Sequence, residues 1–403
     1  MALTITLPAA DDGTLAPYAL RGPDAFVPAA AGMPLARIAY SAAHVVADPR
    51  AAIDPWLECA LDWDATIAYR LHLWRLGLGV AEAMDTAQRG MGLDWPTSLE
   101  LIARSIDAAR DVPGARLASG CGTDHLAPQD ARGVDDVIRA YEEQMAAIEK
   151  LSGRLIVMAS RALVRVARGP ADYERVYDRI LSQAREPVIL HWLGEMFDPA
   201  LAGYWGSDDT MRAMDNALGV IAAHAAKVDG IKISLLDKSK EIAMRRRLPT
   251  SGGSDGRGVR MYTGDDFDYA ELIAGDGVGE APNRQHSDAL LGIFDAIAPA
   301  ASAALAALTA GDTERFHAIL APTVPLSRHV FRAPTRFYKT GVVFMAWLNG
   351  HQSHFTMVGG QQSTRSLVHL AELFRLADAA GLLADPERAV RRMRTLLALH
   401  GIE

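Results

Sequence analysis

Val228-Asp229-Gly230-Ile231-Lys232-Ile233-Ser234 is a short apolar run with one lysine inside it, and it is typical of a buried β-strand. Seven further runs rich in Val, Ile and Leu occur along the chain. They alternate with longer stretches in which apolar residues recur every three or four positions. This alternation predicts βαβ units and a parallel sheet.

We predict eight strands, at residues 35–40, 77–83, 116–119, 154–158, 187–191, 230–234, 259–263 and 289–294. Between the third and fourth strands, Val134, Ile138, Tyr141 and Met145 lie on one apolar stripe of a predicted helix. Eight strand–helix units in about 260 residues match a (β/α)₈ barrel better than an open sheet. The predicted fold class is therefore α/β, a TIM barrel.

The segments outside the barrel also carry patterns. Strand-like runs at 3–7 and 15–20 flank Asp11-Asp12-Gly13, which predicts an N-terminal hairpin over the barrel's closed end. We assign residues 1–34 to the hairpin and lead-in, 35–297 to the barrel, and 298–403 to a C-terminal helical extension. The Gly- and Pro-rich segments 238–258 and 275–286 are predicted loops. Within the first, we interpret Gly252-Gly253-Ser254-Asp255-Gly256 as a flexible lid segment, and the sequence leaves open whether the loop closes over the site.

Composition limits the class of protein. Of the 403 residues, 50% are hydrophobic and 22% are charged, which is typical of a globular chain. The net charge of −8 offers no broad basic face for nucleic acid. Two cysteines, the lack of a signal peptide and the lack of a long apolar run favour a soluble cytoplasmic protein. We expect a small-molecule partner, with no nucleic acid and no membrane.

Lys232 is the most unusual polar residue near a predicted strand end, where barrel enzymes place their chemistry. An ammonium group in this apolar frame costs free energy, so we expect its pKa to fall and its amine to become nucleophilic. Such a lysine can form a Schiff base with a substrate carbonyl. The structural alternative is a lysine held by an ion pair inside the barrel.

Five motifs occur in an order and spacing that fit a known family. They are Ala118-Ser119-Gly120-Cys121-Gly122-Thr123, Pro187-Val188-Ile189-Leu190-His191, Gly230-Ile231-Lys232, Tyr262-Thr263-Gly264-Asp265-Asp266 and a tail from Pro325 to Lys339. These resemble motifs of the dihydrodipicolinate synthase and N-acetylneuraminate lyase superfamily, the lysine-dependent (β/α)₈ aldolases. The resemblance spans residues 35–383 and implies that Lys232 forms the Schiff base.

The resemblance also implies roles for other residues. His191 stands where the family has its proton-relay tyrosine, and it would shuttle protons to the substrate hydroxyl. Thr86, Ser160 and Arg161 would orient the substrate. The remaining candidates, Asp265 and Asp266, would shape the far wall of the site.

Two departures from the family favour a different substrate. Asp85-Thr86-Ala87-Gln88-Arg89 replaces a loop that holds a substrate carboxylate, and Met196 replaces an arginine. Arg161 and Arg89 are candidate replacements for that arginine. We therefore predict a Schiff-base aldolase or lyase, without a cofactor, that acts on a polyhydroxylated 2-oxo acid or keto sugar in carbohydrate catabolism. Family members are often dimers or tetramers, which implies a homo-oligomer, with the apolar C-terminal helices as its interface.

Two alternatives stay open. His44, Glu82, His125 and His191 follow or end predicted strands, and this ligand set would suit zinc or manganese in a metal-dependent lyase, isomerase or hydrolase. Each of these histidines also fits a plain hydrogen-bonding role. The altered loop at Thr86 and the missing tyrosine instead favour a non-catalytic barrel that binds a sugar.

Overall fold

Eight parallel strands close into a barrel in a computed structural model that describes residues 3–9, 12–29, 32–84 and 89–402. A separate antiparallel hairpin, β1 (Thr4–Pro8) and β2 (Leu15–Ala19), precedes it. The barrel strands are β3 (Ala39–Ala42), β4 (Gly79–Glu82), β5 (Leu117–Cys121), β6 (Leu155–Val157), β7 (Val188–Leu193), β8 (Val228–Ser234), β9 (Arg260–Thr263) and β10 (Asp288–Leu291). The predicted TIM barrel is confirmed, and β10 pairs with both β9 and β3 to close it.

Helices follow most strands and cover the outside of the barrel. They are α1 (Trp63–Arg75), α2 (Trp95–Arg110), α3 (Val134–Lys150), α4 (Arg161–Val166), α5 (Pro170–Gln183), α6 (Thr210–Ala223), α7 (Lys238–Arg245), α8 (Tyr269–Ala274), α9 (Pro282–Gln285) and α10 (Ile293–Ala296). The eighth predicted strand is too long at its end, because the chain turns into α10 at Ile293.

The C-terminal extension is helical, as predicted. Its helices are α11 (Ala298–Thr309), α12 (Thr313–Leu320), α13 (Thr323–Val330), α14 (Tyr338–Leu348), α15 (Leu367–Ala379) and α16 (Pro386–Leu399). All residues of α14 are buried within the chain itself, so this helix offers no exposed apolar stripe for the predicted subunit interface. Among the described residues, no helix is both long and apolar enough to cross a membrane.

Strand alternation sorts the barrel side chains into two sets. Tyr40, Ala81, Ile156, Tyr262 and Leu290 belong to one buried cluster, which fills the barrel interior. Their neighbours in each strand belong to the larger cluster between the barrel and the helices. A residue's parity within its strand therefore decides whether it can reach the interior.

The hairpin is anchored to the C-terminal extension and not to the closed end of the barrel. The Tyr18 hydroxyl donates to Asp378 Oδ2 of α15 at 2.7 Å, and the Arg21 amide donates to the same oxygen at 2.8 Å. Arg375 of α15 donates to the Pro8 carbonyl at 2.8 Å. The predicted hairpin is confirmed, but its predicted place is wrong, because its hydrogen-bonding partners lie on α15.

The segment 238–258 is neither wholly a loop nor a lid. Its first part is α7, where Asp237 accepts the amide of Ser239 at 3.0 Å at the helix start. The rest turns back to the amino ends of the strands, where the Gly253 amide donates to Ala225 O at 2.9 Å and Ser254 binds Asp229 at the start of β8. We call the face of the barrel at the carboxyl ends of its strands the mouth. A connection from a helix to the next strand lies at the opposite end, so residues 246–258 cannot close over Lys232.

Replacing Asp378 with alanine should loosen the hairpin selectively. The buried carboxylate accepts the Tyr18 hydroxyl and the amides of Arg21 and Gly22, so its loss leaves three donors unpaired at about 1–3 kcal/mol each at most. Amide hydrogen exchange of β1 and β2 should accelerate while barrel amides keep their protection. Unchanged protection of β1 would contradict the anchoring role of Asp378.

Candidate active site

Lys232 and His191 lie side by side inside the barrel. The register of β7 and β8 pairs His191 with Lys232, and both residues share parity with the interior residue Ile189. Only 3% of Lys232 and 1% of His191 is exposed. Gly264 after β9 leaves room for the lysine, because a Cβ there would lie 2.8 Å from Lys232 Cε. The structure thus brings together the two residues predicted to carry the chemistry.

His191 is held as a neutral imidazole. Burial, and secondarily the charge of Lys232, lower the pKa of His191 well below its usual value. A neutral imidazole has one nitrogen that donates and one that accepts, so His191 is suited to relay a proton and not to retain one.

Asp266 is the predicted wall residue that belongs to the same buried group. Its Oδ1 accepts the amide of Ile293 at 2.9 Å, and its backbone carbonyl accepts the Ser327 hydroxyl. Burial raises the pKa of Asp266 to about 7, although the positive charge of Lys232 opposes this rise. Its carboxyl group therefore changes charge near neutral pH.

Asp265 has a structural role, unlike Asp266. Its Oδ1 accepts the amides of Phe267 at 2.8 Å and Asp268 at 3.1 Å, which closes the turn after β9. Burial raises the pKa of Asp265. This residue shapes the chain that carries Asp266.

Lys339 is a second buried lysine that the sequence interpretation did not place in the site. It comes from α14, where its Nζ donates to Ala42 O at 2.9 Å and lies 3.8 Å from Asp295 Oδ2. Burial lowers the pKa of Lys339 to about 8, and the charge of Lys232 acts in the same direction. The only sequence signal was the position of Lys339 in the C-terminal motif.

His44 supports Lys339 through a shared carboxylate. His44 Nδ1 lies 2.9 Å from both oxygens of Asp295, and its amide donates to Oδ2 at 2.6 Å. Burial opposes the charged form of Asp295, but His44 and then Lys339 outweigh it and hold its pKa well below the usual range. His44, Asp295 and Lys339 therefore form one buried chain of polar contacts beside the mouth.

Glu82 and His125 lie outside this group. Glu82 accepts Arg70 Nε at 2.9 Å and Nη2 at 2.8 Å, and it also accepts the Ser105 hydroxyl at 2.6 Å. Both partners belong to helices, so Glu82 faces away from the barrel interior. His125 lies 2.9 Å from Gln144 Nε2 on α3. Among the described residues, no three His, Cys, Asp or Glu side chains form a cluster that could hold a metal.

The predicted substrate-orienting residues have structural partners. Ser160 Oγ accepts the Leu163 amide at 3.0 Å and lies 2.6 Å from Thr123 Oγ1, which places it at the start of α4. Arg161 forms an ion pair with Asp198. Thr86 lies outside the described residues.

Arg89 was the other candidate replacement for a carboxylate-binding arginine. It donates to Gly120 O at 2.7 Å and Gln144 Oε1 at 2.6 Å, and it pairs with Asp124 at 2.5 Å. Its guanidinium thus stabilises the loop after β5.

Aromatic rings cover the mouth beside β10. Phe331 stacks on Tyr338 with ring centroids 4.3 Å apart, and the ring of Phe197 meets Tyr338 edge-on. A Cβ on Gly292 would lie 2.9 Å from both Phe331 and Tyr338. The C-terminal extension thus encloses the strand ends, which keeps the lysines away from bulk water.

A family model described as a protein of unknown function (DUF993) matches residues 5–402. The chain belongs to the DUF993 family. No curated protein matches the sequence.

The fold of this DUF993 chain occurs in solved structures. An E. coli K12 prophage protein of the dihydrodipicolinic acid synthase family, in complex with pyruvate, has a TM-score of 0.61 at 14% identity, with 92% of this chain and 100% of that chain covered. Dihydrodipicolinate synthase from Thermotoga maritima scores 0.59 at 13% identity, covering 86% and 99%. The enzyme from Aquifex aeolicus scores 0.57 at 11% identity, covering 91% and 98%. The predicted resemblance is therefore confirmed for the fold.

Glu82→Gln should destabilise the DUF993 chain without changing its metal content. The amide cannot balance the buried Arg70 charge, and breaking a buried pair typically costs about 3–5 kcal/mol. Urea denaturation measures this loss. The control Glu100→Gln removes an exposed pair with Arg104 and should cost at most about 1 kcal/mol. A metal lost in proportion with Glu82→Gln would contradict the structural role.

Proposed function

We propose that the protein is a Schiff-base aldolase or lyase that acts on a polyhydroxylated 2-oxo acid or keto sugar in carbohydrate catabolism. The observation that carries this proposal is the Lys232 amine, buried inside the barrel beside His191. The fold is that of dihydrodipicolinate synthases, and one solved relative in fold holds pyruvate. A barrel of this kind places its chemistry at the carboxyl ends of its strands, where Lys232 lies.

The proposed reaction begins at the amine of Lys232. The neutral amine adds to the substrate carbonyl, and the resulting carbinolamine loses water to form an iminium. As the adjacent carbon–carbon bond breaks, its electrons move into the iminium to give an enamine. The hydroxyl proton of the departing fragment passes to His191, and an aldehyde is released. His191 then returns this proton to the enamine carbon, and water hydrolyses the resulting iminium, which regenerates Lys232 and releases the second product.

Asp266 and Lys339 complete the proposed machinery. Asp266 has a pKa of about 7 that the positive charge of Lys232 lowers, so it is suited to take the proton that Lys232 must lose before attack. Lys339 is close enough to Asp266 and Lys232 to feel their charges, and its Nζ donates to the Ala42 carbonyl. A cation there would favour a carboxylate on the substrate, a role that Met196 cannot fill and for which Arg89, paired with Asp124, is already engaged.

Borohydride trapping tests the proposal directly. The purified protein is incubated with a panel of 2-oxo acids and keto sugars, reduced, and analysed by intact mass and peptide mapping. We expect one adduct on Lys232 and none with Lys232→Ala. The control Lys238→Ala removes an exposed lysine paired with Glu271 and should label like the wild type. Failure of every candidate to label Lys232, or full labelling of Lys232→Ala, would overturn the mechanism.

Asp266→Asn should remove a pH dependence near neutrality. Because Asp266 is protonated below about pH 7, the rate of adduct formation in the wild type should rise as pH increases through that value. The asparagine variant should lose this rise. A retained rise near pH 7 would show that another group takes the proton.

The stability of the same variant provides an independent check. The raised pKa means that the folded state binds more protons than the unfolded state between the ordinary aspartate pKa of about 3.9 and pH 7. The wild type therefore loses stability as pH rises through this window. Asp266→Asn should lack this loss, as measured by denaturation at several pH values.

The setting of the enzyme is also part of the proposal. Both cysteines, Cys59 and Cys121, are free thiols, in keeping with a reducing cytoplasm. We propose a homo-oligomer, dimer or tetramer, that needs no cofactor for this reaction. Since α14 is buried within the chain, the subunit interface of this oligomer must use other surfaces. Light scattering on the purified protein measures the oligomeric state.

A further inference from the structure

A cavity of about 400 Å³ lies at the end of the barrel opposite Lys232. It is lined by the first residues of β9 and β10, and by parts of the segments 246–258 and 275–287. This end of a TIM barrel ordinarily serves stability and not binding. Two inserted segments that enclose a polar space here suggest a second site.

The walls of this cavity are held in place before any ligand arrives. Asn283 Nδ2 donates to Pro249 O at 3.0 Å and to Val259 O at 2.9 Å. Arg284 Nε donates to Leu248 O at 3.0 Å. These bonds join the two segments to each other, so the cavity is preformed.

The lining of the cavity contains more arginines than aspartates. Both aspartates that line the cavity form ion pairs with Arg260. Asp288 Oδ2 lies 3.0 Å from Arg260 Nη1, and Asp255 Oδ2 binds Arg260 Nη2. Arg116 and Arg257 line the same space, and neither guanidinium has an ion pair in the part of the chain that the structure describes. Two such arginines in one polar cavity favour an anion.

The histidine in the lining reports the same positive potential. Burial lowers the pKa of His286 to about 4, and the charges of Arg37, Arg245 and Arg260 all act in the same direction. The group is therefore neutral at physiological pH and leaves the cationic character of the cavity to the arginines.

We propose that this cavity binds a small organic oxyanion. Arg116 and Arg257 bind its carboxylate or phosphate oxygens. The volume suits a metabolite-sized molecule. The site is separate from the mouth and does not depend on the proposed aldolase chemistry.

Calorimetric titration of the full chain tests this site with two probes, citrate and inorganic phosphate. Citrate offers several carboxylates to the two arginines, whereas phosphate is a single compact oxyanion. We expect saturable binding of citrate, weaker binding of phosphate, and no response to sodium chloride at matched ionic strength. Absence of binding by both probes, or an equal response to chloride, would overturn the proposal.

Variants locate the binding. The double change Arg116→Gln and Arg257→Gln should weaken citrate binding about tenfold or more, because it removes two charge-assisted contacts. The control Arg212→Gln removes the same type of charge from the exposed face of α6 and should bind like the wild type. Circular dichroism melting checks that the double variant folds, and each single variant should show an intermediate loss. Wild-type affinity in a folded double variant would place the ligand elsewhere.

Discussion

The burial of the Lys232 amine inside a closed barrel is the constraint on which the rest of the mouth depends. An amine at 3% exposure needs polar neighbours, and the strand register and the turn after β9 supply them. His191 stands beside it in β7, and Asp266 comes from the turn after β9. Each has a pKa displaced toward the neutral form, so His191 stays neutral while Asp266 changes charge near pH 7.

Different parts of the chain cover the two ends of the barrel. At the carboxyl ends of the strands, α14 brings Lys339 and Tyr338 over the mouth, and Phe331 at the end of α13 stacks on Tyr338. At the amino ends, the segments 246–258 and 275–287 enclose a charged cavity. A helix that follows a strand starts at the mouth and ends at the other face, so insertions after a helix always lie far from the chemistry. This rule explains why a glycine-rich segment close to Lys232 in sequence is remote from it in space.

Much of the fold could be predicted from local patterns, and the site only in part. Lys232 and His191 stood out because burying a charged or polar side chain in an apolar strand costs free energy unless the side chain is paired or functional. Lys339 and Asp295 did not stand out, since their stretches are helical and a helical pattern does not tell which polar residue meets a distant strand. Glu82 was misleading for a related reason: its strand could be recognised, but which face turns inward depends on closure of the barrel.

The sequence by itself determined the order of strands and helices, the barrel class and the lysine at the heart of the proposed chemistry, because these follow from periodicity and from the cost of burying charge. Tertiary structure decided which side chains meet. It paired Glu82 with Arg70, joined His44 to Lys339 through Asp295, and anchored the hairpin on α15. Such contacts link residues far apart in the chain, and their energies depend on distances that only the closed barrel sets.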